Sequence, residues 1–421
     1  MRILTVHNKY MLRGGEDESR EAEDRILAAN GHEVRQVILQ NDITPQTSLL
    51  RVGFNASWCQ SSYDRISGEL VAWKPDILDV HNFFPLASPS VHHAARRIGV
   101  PVIQTLHNYR LLCPGANFLR DDRVCEDCTN HFVAWPGVLH RCYRGSALQT
   151  GAVSLMLSVH RVLRTWQRCV TVFIALSEFS KRKFVENGFS ESKIVVKPNF
   201  VDDPGEPGEG GEEFMFAGRL SREKGIVALL AAMELTGPDV RVNIIGEGPL
   251  EAEVRAAADR NPRIRFLGRL RRQDVLSRMS SAKCVIVPSI CYETFGRSAA
   301  EAYSVGTPVI ASRIGALAEM VDHGRTGLHA GPGDPADLAR AMTWIAQNQR
   351  AVARMRLEAR LEYLAKYTSG RNYDLLMDTY ERAIADAKPR LGLPWKSDIR
   401  RREAQHATFT SGSSSGRAST P

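Results

Sequence analysis

The chain has 421 residues, of which 43% are hydrophobic and 24% are charged, and its formal net charge is +8 at pH 7. This length and composition predict two or three domains with real cores, so wholesale disorder is excluded. Eight cysteines are too few for a disulfide-dense secreted scaffold, and no apolar stretch reaches the roughly 18 residues of a membrane span. Met1 leads directly into the strand-like segment RILTV and not into a signal peptide, so we expect a cytoplasmic protein. The charge favours acidic or phosphorylated partners, and no motif points to nucleic acid.

Short apolar segments rich in Val and Ile alternate with longer helical patterns along most of the chain. The strand candidates of the first half are Ile3–Val6, Val34–Leu39, Asp76–Val80, Val102–Leu106 and Val172–Leu176. Those of the second half are Phe214–Ala217, Val240–Ile245, Ile264–Leu267, Val285–Pro288 and Pro308–Ala311. Continuous apolar strands separated by helices are typical of parallel sheets that are covered on both faces.

A segment without core-forming side chains, PGEPGEGGEE, divides the two series of strands. We therefore predict an α/β fold in which two Rossmann-like, doubly wound domains, 1–203 and 214–370, face each other across a cleft and are joined by a linker over 204–213. A helical segment over 371–395 is expected to pack back on the first domain. The tail over 396–421 is rich in Ser, Gly and Thr, and we expect it to be disordered.

The segment ETFGRSAAE follows a strand and opens a helix. The amides around Phe295 and Gly296 then lie at a helix N-terminus, which favours a phosphate. Glu293 and Glu301 are separated by about 12 Å along a helix, so one carboxylate could bond a sugar near a pyrophosphate and the other a ribose. An ordinary helix with one capping and one solvated glutamate is the alternative.

Two further segments of the second half carry candidate ligand-binding residues. Arg219 and Lys224, in AGRLSREKG, follow the first strand of that half, at the sheet edge where doubly wound folds bind ligands. Their cationic groups suit a diphosphate, although a solvated basic loop has the same composition. Gly246 and Gly248, in IIGEGP, permit a tight turn that any strand-to-helix connection could contain.

The first half offers a glycine pair and a histidine. Gly14 and Gly15 precede a helix in HNKYMLRGGEDE, and His107 follows the strand PVIQTL, from whose end its side chain is expected to point into the cleft. A flexible connecting loop and a structural histidine are the alternatives.

Together, and in this order and spacing, these segments resemble glycosyltransferase family 4, the retaining nucleotide-sugar transferases of the GT-B fold. The resemblance extends over roughly Met1 to Arg390 and is strongest in AGRLSREKG, IIGEGP, VPSICYETFGRSAAEAYSVGTPVIAS and GALAEMVDHGRTG. It implies an acceptor-binding first domain and a second domain that binds the nucleotide sugar.

The resemblance also implies roles for single residues. Arg219 and Lys224 would bind the donor diphosphate, Glu293 would contact the transferred sugar, and Glu301 would bind the ribose. The implied donor site also includes Gly246 and the amides of Phe295 and Gly296. Gly14 and Gly15 would line the cleft near the reacting centre, and His107 would contact the donor sugar. The implied catalytic residues are His107, Arg219, Lys224 and Glu293.

The implied reaction moves a sugar from a nucleoside-diphosphate sugar to a glycan or lipid-linked acceptor with retention, in polysaccharide or glycolipid synthesis. The positive charges of Arg219 and Lys224 beside the departing diphosphate would assist the reaction. No Asp-x-Asp motif occupies a suitable loop, so we expect no cofactor to be required for catalysis. Covalent attack by a carboxylate is left open. The alternatives are a nucleotide-sugar epimerase of the same fold and an inactive nucleotide-sugar-binding subunit.

Four cysteines lie close together in an insertion at about residues 113–142: Cys113, Cys125, Cys128 and Cys142. One pair has C-x-x-C spacing, and four thiolates in a cytosolic protein are typical of structural zinc. Reduced, partly buried thiols are the alternative.

The segment from Arg141 to Lys183 contains eight basic residues and one glutamate. Within it, apolar residues recur at helical spacing: Leu155, Val159, Val162, Leu163 and Trp166. A basic amphipathic helix with a tryptophan suits an anionic membrane surface, so the sequence predicts peripheral membrane association. Alternatively, the apolar face packs on the sheet of the first domain.

Overall fold

The computed structural model describes residues 1–9, 14–40 and 55–387, and it contains two six-stranded parallel sheets. The strands of the first sheet are β1 (Arg2–Lys9), β2 (Glu33–Gln40), β3 (Ile77–Asn82), β4 (Val102–Thr105), β7 (Val172–Ala175) and β8 (Ile194–Val196). Their spatial order is β2-β1-β3-β4-β7-β8, with every neighbouring pair parallel. A small antiparallel hairpin, β5 (Leu119–Arg120) and β6 (Arg123–Val124), lies in the insertion between β4 and β7.

The second sheet repeats this design. Its strands are β9 (Phe214–Ala217), β10 (Val242–Ile245), β11 (Ile264–Gly268), β12 (Cys284–Val287), β13 (Val309–Ser312) and β14 (Gly327–Ala330). They lie in the order β11-β10-β9-β12-β13-β14, again all parallel. In each sheet the strand order reverses beside the first strand in the chain, β1 or β9. This reversal is where doubly wound sheets form a ligand crevice.

Helices connect the strands on both faces of each sheet. Those of the first half are α1 (Gly15–Ala29), α2 (Gln60–Trp73), α3 (Ser90–Ile98), α4 (Trp135–Leu139), α5 (Ala147–Val162), α6 (Thr165–Cys169) and α7 (Glu178–Glu186). Those of the second half are α8 (Ile226–Leu235), α9 (Glu251–Arg260), α10 (Arg272–Ser280), α11 (Arg297–Ser304), α12 (Gly315–Met320), α13 (Pro335–Gln347), α14 (Gln349–Lys366) and α15 (Ser369–Ala387). Ser146, Ser177 and Asp334 cap α5, α7 and α13 by accepting backbone N–H bonds, as these residue types favour.

Side chains alternate between the two faces of each sheet, as the period of two residues in a strand requires. In β3, Ile77 joins one buried cluster and Leu78 another, and in β9 Met215 and Phe216 divide in the same way. The cluster that contains Ile77 and Met215 is shared by the two sheets. The helices therefore bury both faces of each sheet, and one continuous apolar region joins the two halves.

The ten strands that the sequence predicts all overlap strands of the structure. The prediction missed the edge strands β8 and β14 and the hairpin β5–β6. The segment of β14, GLHA, has no β-branched residue, and Gly327 is needed there because a Cβ would lie 1.9 Å from the Val309 carbonyl oxygen.

The segment between the two series of strands is packed and not free. A Cβ at Gly208 would lie 2.3 Å from the Ser280 carbonyl oxygen, and Arg356 donates to the Gly208 carbonyl at 2.7 Å. The proposed linker is therefore fixed against the second half of the chain.

Helix α15 contacts the first sheet. Tyr380 donates to Asp79 Oδ2 at 2.6 Å, and Asn372 donates to the Pro198 carbonyl at 2.6 Å. Residues 388–395 of the predicted helical segment, and the whole predicted tail 396–421, lie outside the described residues. Among the helices of the described residues, none has both the length and the hydropathy needed to cross a bilayer.

The two halves also meet along the cleft. Glu319 of α12 accepts from the backbone N–H groups of Glu178 and Phe179 at 2.9 and 2.7 Å, so it caps a helix of the other half. Ser177 donates to the Thr294 carbonyl at 3.1 Å. These contacts bring the segment around Glu293 close to the ends of strands β4 and β7.

Candidate active site

Lys224 and Glu293 form an ion pair at the base of the cleft. Lys224 ends a short 3-10 turn after β9, and Glu293 lies in the loop after β12. The two loops are packed together, because a Cβ on Gly225 would lie 1.8 Å from the Pro288 carbonyl oxygen. Lys224 Nζ lies 2.6 Å from Glu293 Oε1, and Ser289 donates to the same oxygen at 2.7 Å.

The charge on Lys224 is stabilised by this pairing. Burial alone would lower the pKa of Lys224, but the Glu293 carboxylate outweighs burial and the pKa is raised. Arg219, in the same loop, is exposed and its guanidinium forms no ion pair with the described residues. The site thus holds one fixed ammonium and one guanidinium that is available to an anionic ligand.

Helix α11 begins beside this pair. Gly296 is its N-cap residue and Arg297 its first residue. A Cβ on Gly296 would lie 2.6 Å from Leu317 Cδ2 and 3.0 Å from Met320 Sδ, so the backbone there packs closely on α12. Phe295 is buried against Tyr367, with ring centroids 5.9 Å apart. The α11 N-terminus that the sequence predicts for a phosphate is therefore present next to Glu293.

Glu301 forms ion pairs with two arginines. Its Oε1 lies 3.2 Å from Arg297 Nε and 4.0 Å from Arg272 Nε. Burial raises the pKa of Glu301 more than these two arginines lower it. If the Glu301 carboxylate accepts a ribose hydroxyl, it would therefore do so while also bonded to Arg297.

Arg297 also reaches across the cleft, a contact that the sequence did not reveal. Its guanidinium lies 2.9 Å from Glu18 Oε2 and donates to Ser19 Oγ at 3.0 Å. A Cβ on Gly15 would lie 3.1 Å from Arg297 Cδ. Gly15 therefore lies against the start of α11, whereas a Cβ on Gly14 would meet no atom within 4 Å. The spacing of four residues from Glu301 is the one sequence signal for Arg297, and it predicts only the contact within the helix.

The glycine loop is held by a buried pair. Asp17 accepts from the Gly14 N–H at 3.0 Å and bonds His7 Nε2 at 2.8 Å. Neither Asp17 nor His7 was predicted from the sequence, because their importance depends on α1 packing over the end of β1.

His107 lies at the end of β4, facing the second half. Thr294 donates to its carbonyl at 2.8 Å, so His107 is next to the Glu293 loop. His107 Nε2 lies 3.0 Å from His81 Nδ1, and the two rings are stacked with centroids 5.3 Å apart. Burial, followed by the neighbouring His81, lowers the pKa of His107 well below its usual range, so His107 is neutral at neutral pH. His81 was missed by sequence analysis.

Gly246 packs on the loop that carries Arg219. Its φ is +144°, and a Cβ there would lie 1.8 Å from the Gly218 carbonyl oxygen. A Cβ on Gly248 would lie 2.4 Å from the Leu220 carbonyl oxygen. The IIGEGP turn therefore shapes the AGRLSREKG loop by close backbone contact.

The four cysteines of the insertion are free thiols, of which Cys113 and Cys128 are buried. Among the described residues, no three of these cysteines have their sulfur atoms within 4.8 Å of one another. The potential metal-ligand atoms of Glu23, Asp79 and His81 do lie within that distance. Burial, followed by the neighbouring thiols, raises the pKa of Cys128 to about 12. The insertion contacts the second half, because Tyr292 donates to Glu126 at 2.9 Å and Arg222 forms a bidentate pair with Asp122.

The predicted apolar face of α5 was partly wrong. Trp166 is buried among the rings of Phe83, His92 and His160, whereas Leu155 and Val162 are exposed. The prediction combined positions from two different faces because the chain turns between α5 and α6, at Arg164 with its positive φ.

Comparison with known proteins assigns both halves of the chain to glycosyl transferase family models. Residues 25–199 match the glycosyl transferase 4-like domain, and residues 200–362 match glycosyl transferases group 1. The 2-deoxystreptamine glucosyltransferase of Streptomyces kanamyceticus is 28% identical over 75% of this chain and 79% of its own length. The phosphatidyl-myo-inositol mannosyltransferase of Mycobacterium leprae is 32% identical over 46% of this chain and 55% of its own length.

The fold is shared with solved glycosyltransferase-type structures. Anabaena Alr3699/HepE, solved in complex with UDP and glucose, has a TM-score of 0.65 at 16% identity and covers 90% of this chain and 99% of its own. The two parallel-sheet α/β domains face each other across a cleft, so the structure has the GT-B architecture that the sequence predicts. The chain belongs to the family 4-type glycosyltransferases, with a glycosyl transferase 4-like first domain and a glycosyl transferase group 1 second domain.

Proposed function

We propose that the protein transfers a sugar from a nucleoside-diphosphate sugar to a glycan or lipid-linked acceptor with retention at the anomeric carbon. The observation that carries the proposal is the Lys224–Glu293 pair beside the α11 N-terminus and opposite His107. UDP-sugars are the first donors to test, because the Anabaena neighbour was solved with UDP and glucose.

The chemistry follows from these groups. When the bond to the anomeric carbon breaks, negative charge develops on the diphosphate, and Lys224, Arg219 and the first amides of α11 can stabilise it. Glu293 holds the Lys224 ammonium in place and contributes an acceptor for sugar hydroxyls. His107 is neutral and therefore can bond the sugar without repelling a cationic transition state.

Thermal-shift measurements with UDP-, GDP- and ADP-sugars test the donor, and transfer assays with the best donor test the reaction. We expect one nucleotide class to raise the melting temperature and an added acceptor to increase nucleotide release, with the product keeping the anomeric configuration of the donor by NMR. Donor conversion that is indifferent to any acceptor would favour the epimerase, and donor binding without turnover would favour the inactive subunit.

We further propose that the acceptor is met at an anionic membrane surface. One face of α5 exposes an apolar residue every seventh position: Leu148 (55% exposed), Leu155 (49%) and Val162 (67%). The opposite face, with Val153, Met156 and Leu157, is buried in the first domain. This row of exposed apolar side chains supports contact with a membrane.

A second exposed apolar group adjoins this face. Phe132, Trp135 and Leu139 in and before α4 are more than half exposed, and α4 packs on α5. Arg161 of α5 donates to the carbonyls of His131 and Phe132, both at 2.9 Å, and so ties the two segments together.

The charge around this surface favours anionic lipid. Residues 129–177 contain five arginines and no aspartate or glutamate. Arg144, Arg164 and Arg168 are exposed. A basic surface with protruding aromatic and aliphatic side chains is what a peripheral protein uses on such a membrane. The Mycobacterium leprae relative has the lipid phosphatidyl-myo-inositol in its name, which is in keeping with a lipid-linked acceptor.

Co-sedimentation with phosphatidylcholine vesicles, with and without phosphatidylglycerol, tests this surface. We expect salt-sensitive binding to the anionic vesicles that the pair Arg164→Glu and Arg168→Glu reduces, as does the pair Leu155→Gln and Val162→Gln. Arg350→Glu with Arg354→Glu, an equal charge change on exposed positions of α14, is the control. Binding that is absent at low salt, or equal in all variants, would refute the proposal.

Finally, we propose that Cys113, Cys125, Cys128 and Cys142 bind a structural zinc ion. The donor set fits zinc, and metal binding would replace the protons that the crowded, buried thiols otherwise retain. Binding requires the sulfur atoms to move closer together than they lie here. Zinc would then stabilise the insertion that contacts the donor-site loops through Asp122 and Glu126.

A further inference from the structure

Next to His107 lies a cluster of buried ionisable groups that the proposed donor site does not use. It is assembled from α1, β3, the residue after β8 and α15. Its members are Arg20, Glu23, Asp24, Asp79, His81, Lys197 and Tyr380, all of them buried. Charged side chains are rarely buried to this extent unless they are paired, so each charge in the cluster is expected to have a partner of opposite sign.

The cluster pairs its charges one by one. Lys197 Nζ lies 2.5 Å from Glu23 Oε1, and Arg20 lies 2.5 Å from Asp24 Oδ2. Asp79 accepts the neutral Tyr380 hydroxyl at 2.6 Å and forms a direct ion pair with neither Lys197 nor Arg20, although the charge of Lys197 helps to lower the pKa of Asp79.

His81 supplies the missing positive charge. Its Nε2 lies 3.7 Å from Asp79 Oδ2 and 3.8 Å from Glu23 Oε2. Burial acts to lower the pKa of His81, but Asp79, Glu23 and Asp24 outweigh it and the pKa is raised. The two neighbouring histidine rings are His107, with its centroid at 5.3 Å, and His7, which faces His81 edge-on at 6.5 Å; both have a lowered pKa, so neither adds a competing positive charge.

This cluster is not a metal site, although Glu23, Asp79 and His81 have ligand atoms within 4.8 Å of one another. The Lys197 ammonium already lies against Glu23, and a divalent cation there would be repelled by it. The positive charge that the carboxylates require comes from the protein itself.

The protonation of His81 determines which nitrogen of His107 carries a proton. A protonated imidazole has two N–H donors and no acceptor. One points to the carboxylates, and the other, at Nδ1, lies 3.0 Å from His107 Nε2. His107 Nε2 must therefore accept, so the single proton of neutral His107 is on Nδ1, for which the described residues provide no hydrogen-bond partner.

We propose that His81 is a positioning residue for glycosyl transfer: it fixes the tautomer and ring plane of His107, so that His107 presents its Nδ1–H to the donor. The stacking of the two rings, with 20° between their planes, restricts the orientation as well as the tautomer. The catalytic consequence rests on the proposed function, whereas the tautomer does not.

NMR of protein labelled with 15N-histidine tests the tautomer without any substrate. Near neutral pH, we expect His107 to show a protonated Nδ1 and an unprotonated Nε2, and His81 to show both nitrogens protonated. A His107 with its proton on Nε2, or a neutral His81, would overturn the proposal. The assignment uses His107→Asn and His81→Asn.

Two substitutions at His81 test the effect on transfer. His81→Asn keeps an N–H donor near the position of Nδ1, whereas His81→Phe keeps the ring volume and removes the donor. We expect His81→Phe to lower kcat by about 10- to 100-fold with little change in donor KM, and His81→Asn to restore most of it. His93→Asn changes a half-buried histidine of α3 that bonds Thr165, and it serves as the matched control.

The outcomes separate positioning from simple stability. If kcat in both variants follows their melting temperatures, or if neither variant changes kcat, His81 has no positioning role. If the protein transfers no sugar at all, the proposed function fails while the NMR result still decides the tautomer.

Discussion

Lys224 Nζ lies 2.6 Å from Glu293 Oε1, although the two residues are 69 positions apart in the chain. Each comes from a loop at the end of a different strand of the second sheet, and the two loops contact each other through Gly225 and Pro288. The pair therefore couples the group expected to bind a diphosphate to the group expected to bind a sugar.

Arg219 and Lys224 are expected to differ when each is replaced by alanine. Arg219 is exposed and unpaired within the described residues, so Arg219→Ala should weaken donor binding by about 10- to 100-fold and leave the melting temperature unchanged. Lys224→Ala removes the partner of Glu293 as well, so it should weaken donor binding and also lower the melting temperature. Isothermal titration with the best nucleotide and thermal unfolding measure the two effects.

The exposed Arg350 of α14 provides the control for these variants. Arg350→Ala should change neither property. Equal donor affinity in Arg219→Ala and the wild type would remove Arg219 from the site.

Gly246→Ala should destabilise the second domain. The added Cβ would lie 1.8 Å from the Gly218 carbonyl oxygen, a backbone atom that cannot move away without displacing the Arg219 loop. We expect a loss of about 2 kcal/mol or more in the free energy of unfolding, measured by denaturant titration. Gly237→Ala, where a Cβ meets no atom within 4 Å, should change it by at most about 0.5 kcal/mol. Similar stabilities of the two variants would contradict the close packing.

Purified, freshly reduced protein should carry about one zinc ion per chain, as measured by elemental mass spectrometry. Cys125→Ser should lose the metal, because it removes one of four thiolate ligands, while Cys284→Ala, in the second sheet, should retain it. Wild-type protein without zinc would leave the four residues as packed thiols.

Stability should fall on acidification through the buried His92. Burial lowers its pKa to about 4, and its Nε2 bonds Gln104 at 2.9 Å. Because the unfolded chain binds this proton near the usual pKa of 6.5, the unfolded state gains protons first as the pH falls. The free energy of unfolding should therefore fall between pH 6.5 and about 4, by about 3 kcal/mol at most from this residue.

His92→Gln should show a smaller decrease over the same range than the wild type in denaturant titrations. The raised pKa of His81 has the opposite sign, since its contribution is complete below the unfolded pKa and is lost as the pH rises through the folded value. An acid decrease of equal size in His92→Gln would contradict the assignment.

The sequence predicted the parts of this protein that depend on local pattern. Apolar strands of four or more residues between helical segments were recognisable, and so were Lys224, Glu293 and Gly296 at strand and helix ends. The edge strand β8 was missed because it has only three residues, and the edge strand β14 because it has no β-branched residue.

Contacts between distant segments could not be predicted. Arg297 bonds Glu18 across the cleft, and His81 lies against His107, because the two sheets and the strands within them are brought together by packing that no local spacing encodes. For the same reason, the composition of the predicted linker did not indicate that it packs against Arg356.

The measurement that tests the account most directly is nucleotide release from the best donor by the wild type and Glu293→Gln, with nucleotide affinity measured in parallel. The amide keeps the shape of Glu293 and an oxygen that can still accept from Lys224, so we expect the fold and nucleotide binding to be retained, with a smaller fall in melting temperature than in Lys224→Ala. It loses the carboxylate charge, so we expect release to fall by about 100-fold or more. Glu253→Gln, at an exposed position of α9, should behave as the wild type. Near-normal release by Glu293→Gln would contradict the assignment of this cleft as the site of glycosyl transfer.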